Sequence, residues 1–147
     1  MTDSLTKEAR SKHMKSIKST KTMMEDKVSH ALWNSGLRFR RNTKKLFGKP
    51  DISISKYKLV IFIDSCFWHG CNLHGRIPKS NIQYWQDKIR KNIRRDHDVY
   101  KYYKDKGWVI ERIWEHELIE DFTGVINRLI DTIQTQKKRY YNSDDQY

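Results

Sequence analysis

The sequence predicts an α/β domain, and three stretches carry that expectation. Leu59-Val60-Ile61-Phe62-Ile63 is an apolar, mostly β-branched run of the kind that suits a strand buried on both faces. Asp51 to Ser55 alternates with period two, the pattern of a second strand. Phe122, Val125, Ile126, Leu129, Ile130 and Ile133 fall on one side of a helix. A chain of 147 residues fits one domain and can bury the core that these elements share.

The charge balance narrows the function classes. Lys and Arg total 30 against 18 Asp and Glu, a formal net charge of +12, and the isoelectric point is near 9.7. Such an excess favours a polyanionic partner, nucleic acid or an anionic surface. There is no signal peptide and no apolar run near the ~20 residues that span a bilayer, so a cytoplasmic protein without a membrane partner is expected. Both cysteines, Cys66 and Cys71, lie in one short loop. In a reducing compartment such a pair binds metal or stays reduced rather than forming a structural disulfide.

Taken in order, residues 1–21 are polar and basic, either a frayed terminal helix or an arm that folds onto a nucleic-acid backbone. Thr22-Met23-Met24-Glu25 has capping-box spacing and is expected to start a helix that ends near Gly36, which makes Glu25 a cap residue. Leu37 to Arg41 reads as a short strand, and a turn with Gly48 and Pro50 leads into Asp51. The connection from Ser55 to Leu59 is so tight that the two strands it joins should form an antiparallel hairpin. That topology brings Asp51, at the start of one strand, beside Ile63 and Asp64 at the end of the other. The plain reading of Asp51 is a turn residue after proline.

A helix is expected from about Ile82 to Lys106, stopping at Gly107. Trp85, Ile89, Val99 and Tyr103 form its apolar face, and Lys88, Arg90, Lys91, Arg94 and Arg95 its basic side, solvated or in contact with phosphates. Trp108 to Trp114 is the last strand. The domain is expected to span residues 22–136, with 137–147 a polar, disordered tail.

Three residue groups carry chemistry. Cys66, Cys71 and His74 offer soft ligands within nine residues, and His116, just past the last strand, is a candidate fourth for a tetrahedral structural zinc if the two strand ends are adjacent. The competing reading is a pair of buried thiols. Asp51 and Asp64 suit Mg²⁺, which prefers carboxylates and carbonyls and keeps several waters. His69 is placed to take a proton from a metal-bound water, or to replace His74 on zinc. Phe67 and Trp68 are adjacent, so in an extended loop they point in opposite directions. At least one is then expected to face solvent, as a stacking platform or a wedge between bases, unless both are core.

These residues resemble a family. Phe62-Ile63-Asp64-Ser65-Cys66-Phe67-Trp68-His69-Gly70-Cys71 is similar to the hallmark of the very-short-patch repair (Vsr-type) DNA mismatch endonucleases. So are Phe47-Gly48-Lys49-Pro50-Asp51, Trp114-Glu115-His116-Glu117-Leu118, Arg10-Ser11-Lys12-His13-Met14 and the Tyr84-Trp85, Lys88-Ile89, Asn92 segment, in the same order over about residues 6–133. The resemblance implies a restriction-endonuclease-like mixed sheet flanked by helices, with one structural Zn²⁺. It implies Mg²⁺-dependent nicking of double-stranded DNA by a monomer, 5′ of the thymine in a T·G mismatch. Such mismatches arise when 5-methylcytosine deaminates, which pairs the enzyme functionally with a DNA cytosine-5 methyltransferase.

By matching position, Asp51 is the main ligand of two catalytic Mg²⁺ ions and the Ile63 carbonyl assists. His69 acts on the attacking water, and Glu25 and Asp64 orient metal-bound waters. Phe67, Trp68 and Trp85 wedge from the major groove and Met14 from the minor groove. Lys88, Lys91, Asn92, Arg94 and Arg95 contact DNA. Cys66, Cys71, His74 and His116 hold the zinc. Ser65 stands where the family usually has glycine, and Asp64 where some members have histidine. Two other readings compete: a zinc module that only binds DNA, for which clustered acids facing phosphates would be useless, and a nuclease without mismatch preference.

Overall fold

The computed structural model of the chain describes residues 7–66 and 79–144, apart from the side chains of residues 9, 10, 13, 14 and 16–20. Helix α1 (Lys7–Asn34) is followed by strands β1 (Arg40–Arg41), β2 (Ile52–Ile54) and β3 (Leu59–Asp64), with a 3₁₀ turn at Ser55–Tyr57 between β2 and β3. Then come α2 (Ile82–Asp105), β4 (Val109–Trp114), α3 (Glu115–Glu120) and α4 (Phe122–Asp144). The four-stranded sheet has the order β1-β2-β3-β4. Its first two pairings are antiparallel and β3 runs parallel to β4, so the sheet is mixed.

The apolar run at the centre explains the layering. Leu59, Ile61 and Ile63 point to one side, where they pack with Ile113, with Val28 and Leu32 of α1, and with Val125, Ile126, Leu129 and Ile133 of α4. Val60 and Phe62 point to the other, against Val99 and Tyr103 of α2. Side chains alternate across a strand, so a strand apolar at every position must be covered on both faces. The hairpin expected between Asp51 and Asp64 forms, with Ile52 opposite Ile61 and Ile54 opposite Leu59. Lys58, in the left-handed region at φ 53°, closes its turn.

The loop before Asp51 is pinned to α2. Gly48 has φ +76°, and a Cβ there would meet Val99 Cγ1 at 2.8 Å. The Tyr103 hydroxyl donates to the Phe47 carbonyl. Only glycine combines that backbone conformation with that approach.

Three element boundaries differ from expectation. Helix α1 is continuous from Lys7, so Thr22 and Glu25 lie within it and form no cap. Residues 7–21 contain no glycine or proline, and the helix simply propagates through the capping-box spacing. Only Arg40 and Arg41 of the segment from Leu37 pair with β2. Helix α4 runs through Asp144, where a disordered tail was expected from residue 137. Tertiary contacts account for that last difference. Gln136 Nε2 donates to the Tyr57 carbonyl at 3.0 Å, and Tyr140 and Tyr141 pack against Tyr57.

Gly48→Ala should destabilise the protein by ~2–3 kcal/mol, the sum of a left-handed alanine and an overpacked contact. Denaturant unfolding measures it, and adding Val99→Ala should recover part of the loss. A loss below ~0.5 kcal/mol would mean the loop is not held as described.

Candidate active site

Asp51 follows Pro50 at the entry to β2 and is 8% exposed. Its Oδ2 accepts a hydrogen bond of 2.6 Å from the Ile63 N–H. Its own carbonyl accepts from Asn42 N–H at 3.1 Å. The hairpin therefore places Asp51 at Ile63, as topology required. Glu25 comes in from α1 beside Asp51, and the Lys21 ammonium lies 3.8 Å from Glu25 Oε1 and 3.9 Å from Asp51 Oδ1. Burial, the hydrogen bond to Asp51 and the charge of Asp51, in that order, push the Glu25 carboxyl up to about 7, while Lys21 and Arg41 partly oppose the shift. Two acids sharing one site favour retention of a proton between them.

Asp64, 5% exposed at the end of β3, is ion-paired with Arg112 Nε on β4. Arg112 also reaches Asp96 of α2 at 3.1 Å and lies over the Trp114 ring at 4.3 Å. A cavity of about 440 Å³ opens over these groups, with Lys21, Lys49 and Arg95 contributing positive charge to its lining beside Asp51 and Asp64.

Cys66 lies just beyond β3, and His116 is the second residue of α3, just beyond β4. Because β3 and β4 are parallel, their ends coincide, and Cys66 Sγ is 3.3 Å from His116 Nδ1. The other expected zinc ligands, Cys71 and His74, lie outside the described residues, as do His69, Phe67 and Trp68. The side chain of Met14 lies outside them too. Among the described residues no three His, Cys, Asp or Glu side chains gather as a complete metal site. Each donor set is present as a pair, Asp51 with Glu25 and Cys66 with His116.

On α2, Lys88, Lys91, Asn92 and Arg95 line one surface hollow with Tyr84, and Arg94 is exposed. Arg95 lines the carboxylate cavity as well, so the cationic face of α2 leads into it. Trp85 is 5% exposed in the free chain, while its neighbour Tyr84, edge-on at 5.0 Å, is 56% exposed. The i, i+4 spacing of Trp85 and Ile89 already placed Trp85 on the apolar side. The sequence reading missed Lys21, Asp96 and Arg112. Lys21 had a signal in its i, i+4 spacing to Glu25, whereas Arg112 needed the β3–β4 register.

A mixed sheet that gathers acids at one strand end, beside a cationic helix face, is the arrangement of a protein that works on a polyanion. The comparisons say which. Residues 2–74 match the family model described as DNA mismatch endonuclease Vsr. The chain is 42% identical over 123 residues to the type II nicking enzyme V.NmeDIP of Neisseria meningitidis serogroup C, a match covering 82% of this chain and 83% of that one. It is 42% identical to the type II nicking enzyme V.HpaIIP of Haemophilus parainfluenzae, over 81% of this chain and 86% of that one. It is 35% identical to the DNA mismatch endonuclease Vsr of Escherichia coli K12, over 78% and 74%. The chain belongs to the Vsr family of DNA mismatch endonucleases and is an endodeoxyribonuclease. Among the described residues no helix is long and apolar enough to cross a membrane.

The raised Glu25 makes the metal-free protein pH-sensitive. Its folded pKa of about 7 exceeds the ordinary 4.5, so its contribution is fully present below pH 4.5 and is lost as pH rises through 7. Metal-free Glu25→Gln should therefore match wild type near pH 4.5 and exceed it by ~2 kcal/mol at pH 8. Denaturant midpoints across that range check it, and a variant less stable than wild type at pH 8 would contradict the account.

Proposed function

We propose that the chain is a Mg²⁺-dependent nickase that cuts one strand of double-stranded DNA 5′ of the thymine in a T·G mismatch, beginning repair of deaminated 5-methylcytosine. The observation that carries this reading is the Asp51 carboxylate, fixed on the Ile63 amide beside Glu25 and lining a cavity to which Lys21, Lys49 and Arg95 bring positive charge. A pure DNA binder gains nothing from buried acids facing phosphates, since they repel the ligand and cost stability.

The donor set fits the metal. Asp51 and the Ile63 carbonyl are hard oxygen donors that suit Mg²⁺ and would hold it, with Glu25 orienting its waters. Bound there, Mg²⁺ supplies charge neutralisation at phosphate and a more acidic water. His69 takes the proton of the attacking water, and Asp64, fixed by Arg112, orients water at the site. The cut is a hydrolysis: water adds to phosphorus, one P–O bond of the backbone breaks, and the complementary strand stays whole.

Cys66 and His116 support the zinc reading, with Cys71 and His74 completing the set. A tetrahedral ion with Zn–S of ~2.3 Å and Zn–N of ~2.0 Å separates two such donors by about 3.5 Å, and here they are 3.3 Å apart. That ion would staple the loop carrying His69 and the aromatics. Phe67, Trp68 and Trp85 from the major groove, and Met14 from the minor groove, pry apart the stack beside the mismatch. Unstacking is easiest where pairing is already poor, so the wedge selects the mismatch. Lys88, Lys91, Asn92, Arg94 and Arg95 hold the backbone and raise affinity for any duplex. A monomer suffices, and the biological partner is the cytosine-5 methyltransferase whose product deaminates to T·G.

The test is a nicking assay on T·G-mismatched and matched duplexes of one sequence. With Mg²⁺ the mismatched duplex should be nicked on the thymine strand at least ~100-fold faster, the equivalent of a few kcal/mol of easier unstacking. Asp51→Ala should lose nicking by ~1000-fold or more while still binding the mismatch within about threefold, because it removes the metal and not the wedge. Equal rates on both duplexes would favour a nuclease without mismatch preference. An Asp51→Ala rate within tenfold of wild type would overturn the site.

A further inference from the structure

Lys21 stands one helical turn before Glu25 on α1, and its ammonium reaches both acids. Nζ is 3.8 Å from Glu25 Oε1 and 3.9 Å from Asp51 Oδ1. The side chain is 34% exposed and lines the cavity over Asp51 and Asp64. Helix stability does not explain this placement. A Lys four residues before a Glu is the weaker order of such a pair, worth only a few tenths of a kcal/mol. The contact to Asp51, thirty residues on, adds nothing to the helix. Both distances exceed direct hydrogen-bond length, so charge and not a fixed bond holds the ammonium there.

Glu25 and Asp51, each with an oxygen within 3.9 Å of one ammonium, repel one another when both are ionised. A cation between them removes that repulsion. A divalent ion on the same oxygens would remove it more strongly, and it would repel the ammonium. The two cations therefore compete for one electrostatic position. We propose that Lys21 is a resident counter-ion of the metal site: it holds Glu25 and Asp51 together in the metal-free protein, it is displaced when a divalent cation binds, and it thereby sets how much metal the site demands. This rests on the reading of Asp51 and Glu25 as the acids of a metal site. Lys21 acts through those acids and is a positioning residue.

The test needs no DNA and no turnover. Mn²⁺ is titrated into metal-free protein, and the free ion is followed by electron paramagnetic resonance, for wild type, Lys21→Met, Lys21→Arg and Asp51→Asn. Lys21→Met should bind Mn²⁺ about tenfold more tightly, because a unit positive charge a few ångströms from a divalent ion is gone. Lys21→Arg should stay within about twofold of wild type, since it keeps the charge. Mn²⁺ should also raise the thermal midpoint of Lys21→Met more than that of wild type, because the ion binds the variant more tightly. If Lys21→Met is unfolded without metal, Mn²⁺ should refold it; failure to refold would make Lys21 a structural residue and overturn the proposal. Affinity in Lys21→Met equal to or weaker than wild type, with Asp51→Asn impaired, sinks the counter-ion alone. Wild-type affinity in Asp51→Asn would show that the ion does not sit at these acids, and the metal-site reading would fall together with this one.

Discussion

The site hangs on one hydrogen bond, from the Ile63 amide to Asp51 Oδ2. The hairpin register pairs Ile52 with Ile61, so the ladder reaches its last rung just where Asp51 enters β2. The Ile63 N–H is buried and must find an acceptor. A carboxylate supplies it in place of a main-chain carbonyl. One contact thus completes the end of the β2–β3 ladder and fixes an acid there. Moving Asp51 would leave an amide unsatisfied in the core, so the chain cannot relax the acid without loosening the strand.

The other charges are arranged around that constraint. Asp64 is balanced by Arg112, which in turn is held by Asp96 and Trp114. Glu25 is pressed against Asp51 and pushed up to about 7 by burial and that neighbour. The two acids are thus held differently: Asp64 is locked to an arginine, whereas Glu25 is driven toward its protonated form beside Asp51. The cationic face of α2 meets this cavity at Arg95. The cationic face and the buried acids thus come from different elements, α2 on one side and α1, β2 and β3 on the other.

Much of this was legible in the sequence because it depends on local pattern and tight connections. The run from Leu59 to Ile63 had to be covered twice, and it is. A turn as short as Ser55–Lys58 forces antiparallel pairing, which puts Asp51 at Ile63. His116 met Cys66 because parallel neighbouring strands end together. What escaped was set by competition between local signals and distant contacts. Thr22 and Glu25 carry a capping-box spacing, but a helix already running from Lys7 consumes the backbone groups a cap would serve. Residues 137–144 look like a solvated tail, yet Tyr57 and Lys56 give Tyr140 and Tyr141 a surface to fold on. Arg112 and Lys21 read as ordinary surface charges until strand register and helix docking bring them to Asp64 and Asp51.

The most direct test of the central claim is to locate the divalent ion on the polypeptide itself. Fe²⁺ substituted for Mg²⁺, with ascorbate and peroxide, generates short-range oxidants that cut the backbone beside the ion. Fragment mass spectrometry should place the cuts at Glu25, Pro50–Asp51 and Ile63–Asp64, and excess Mg²⁺ should suppress them. Cuts elsewhere in the chain that Mg²⁺ suppresses equally well, with these three segments intact, would show that the Asp51–Ile63 junction is not the metal centre.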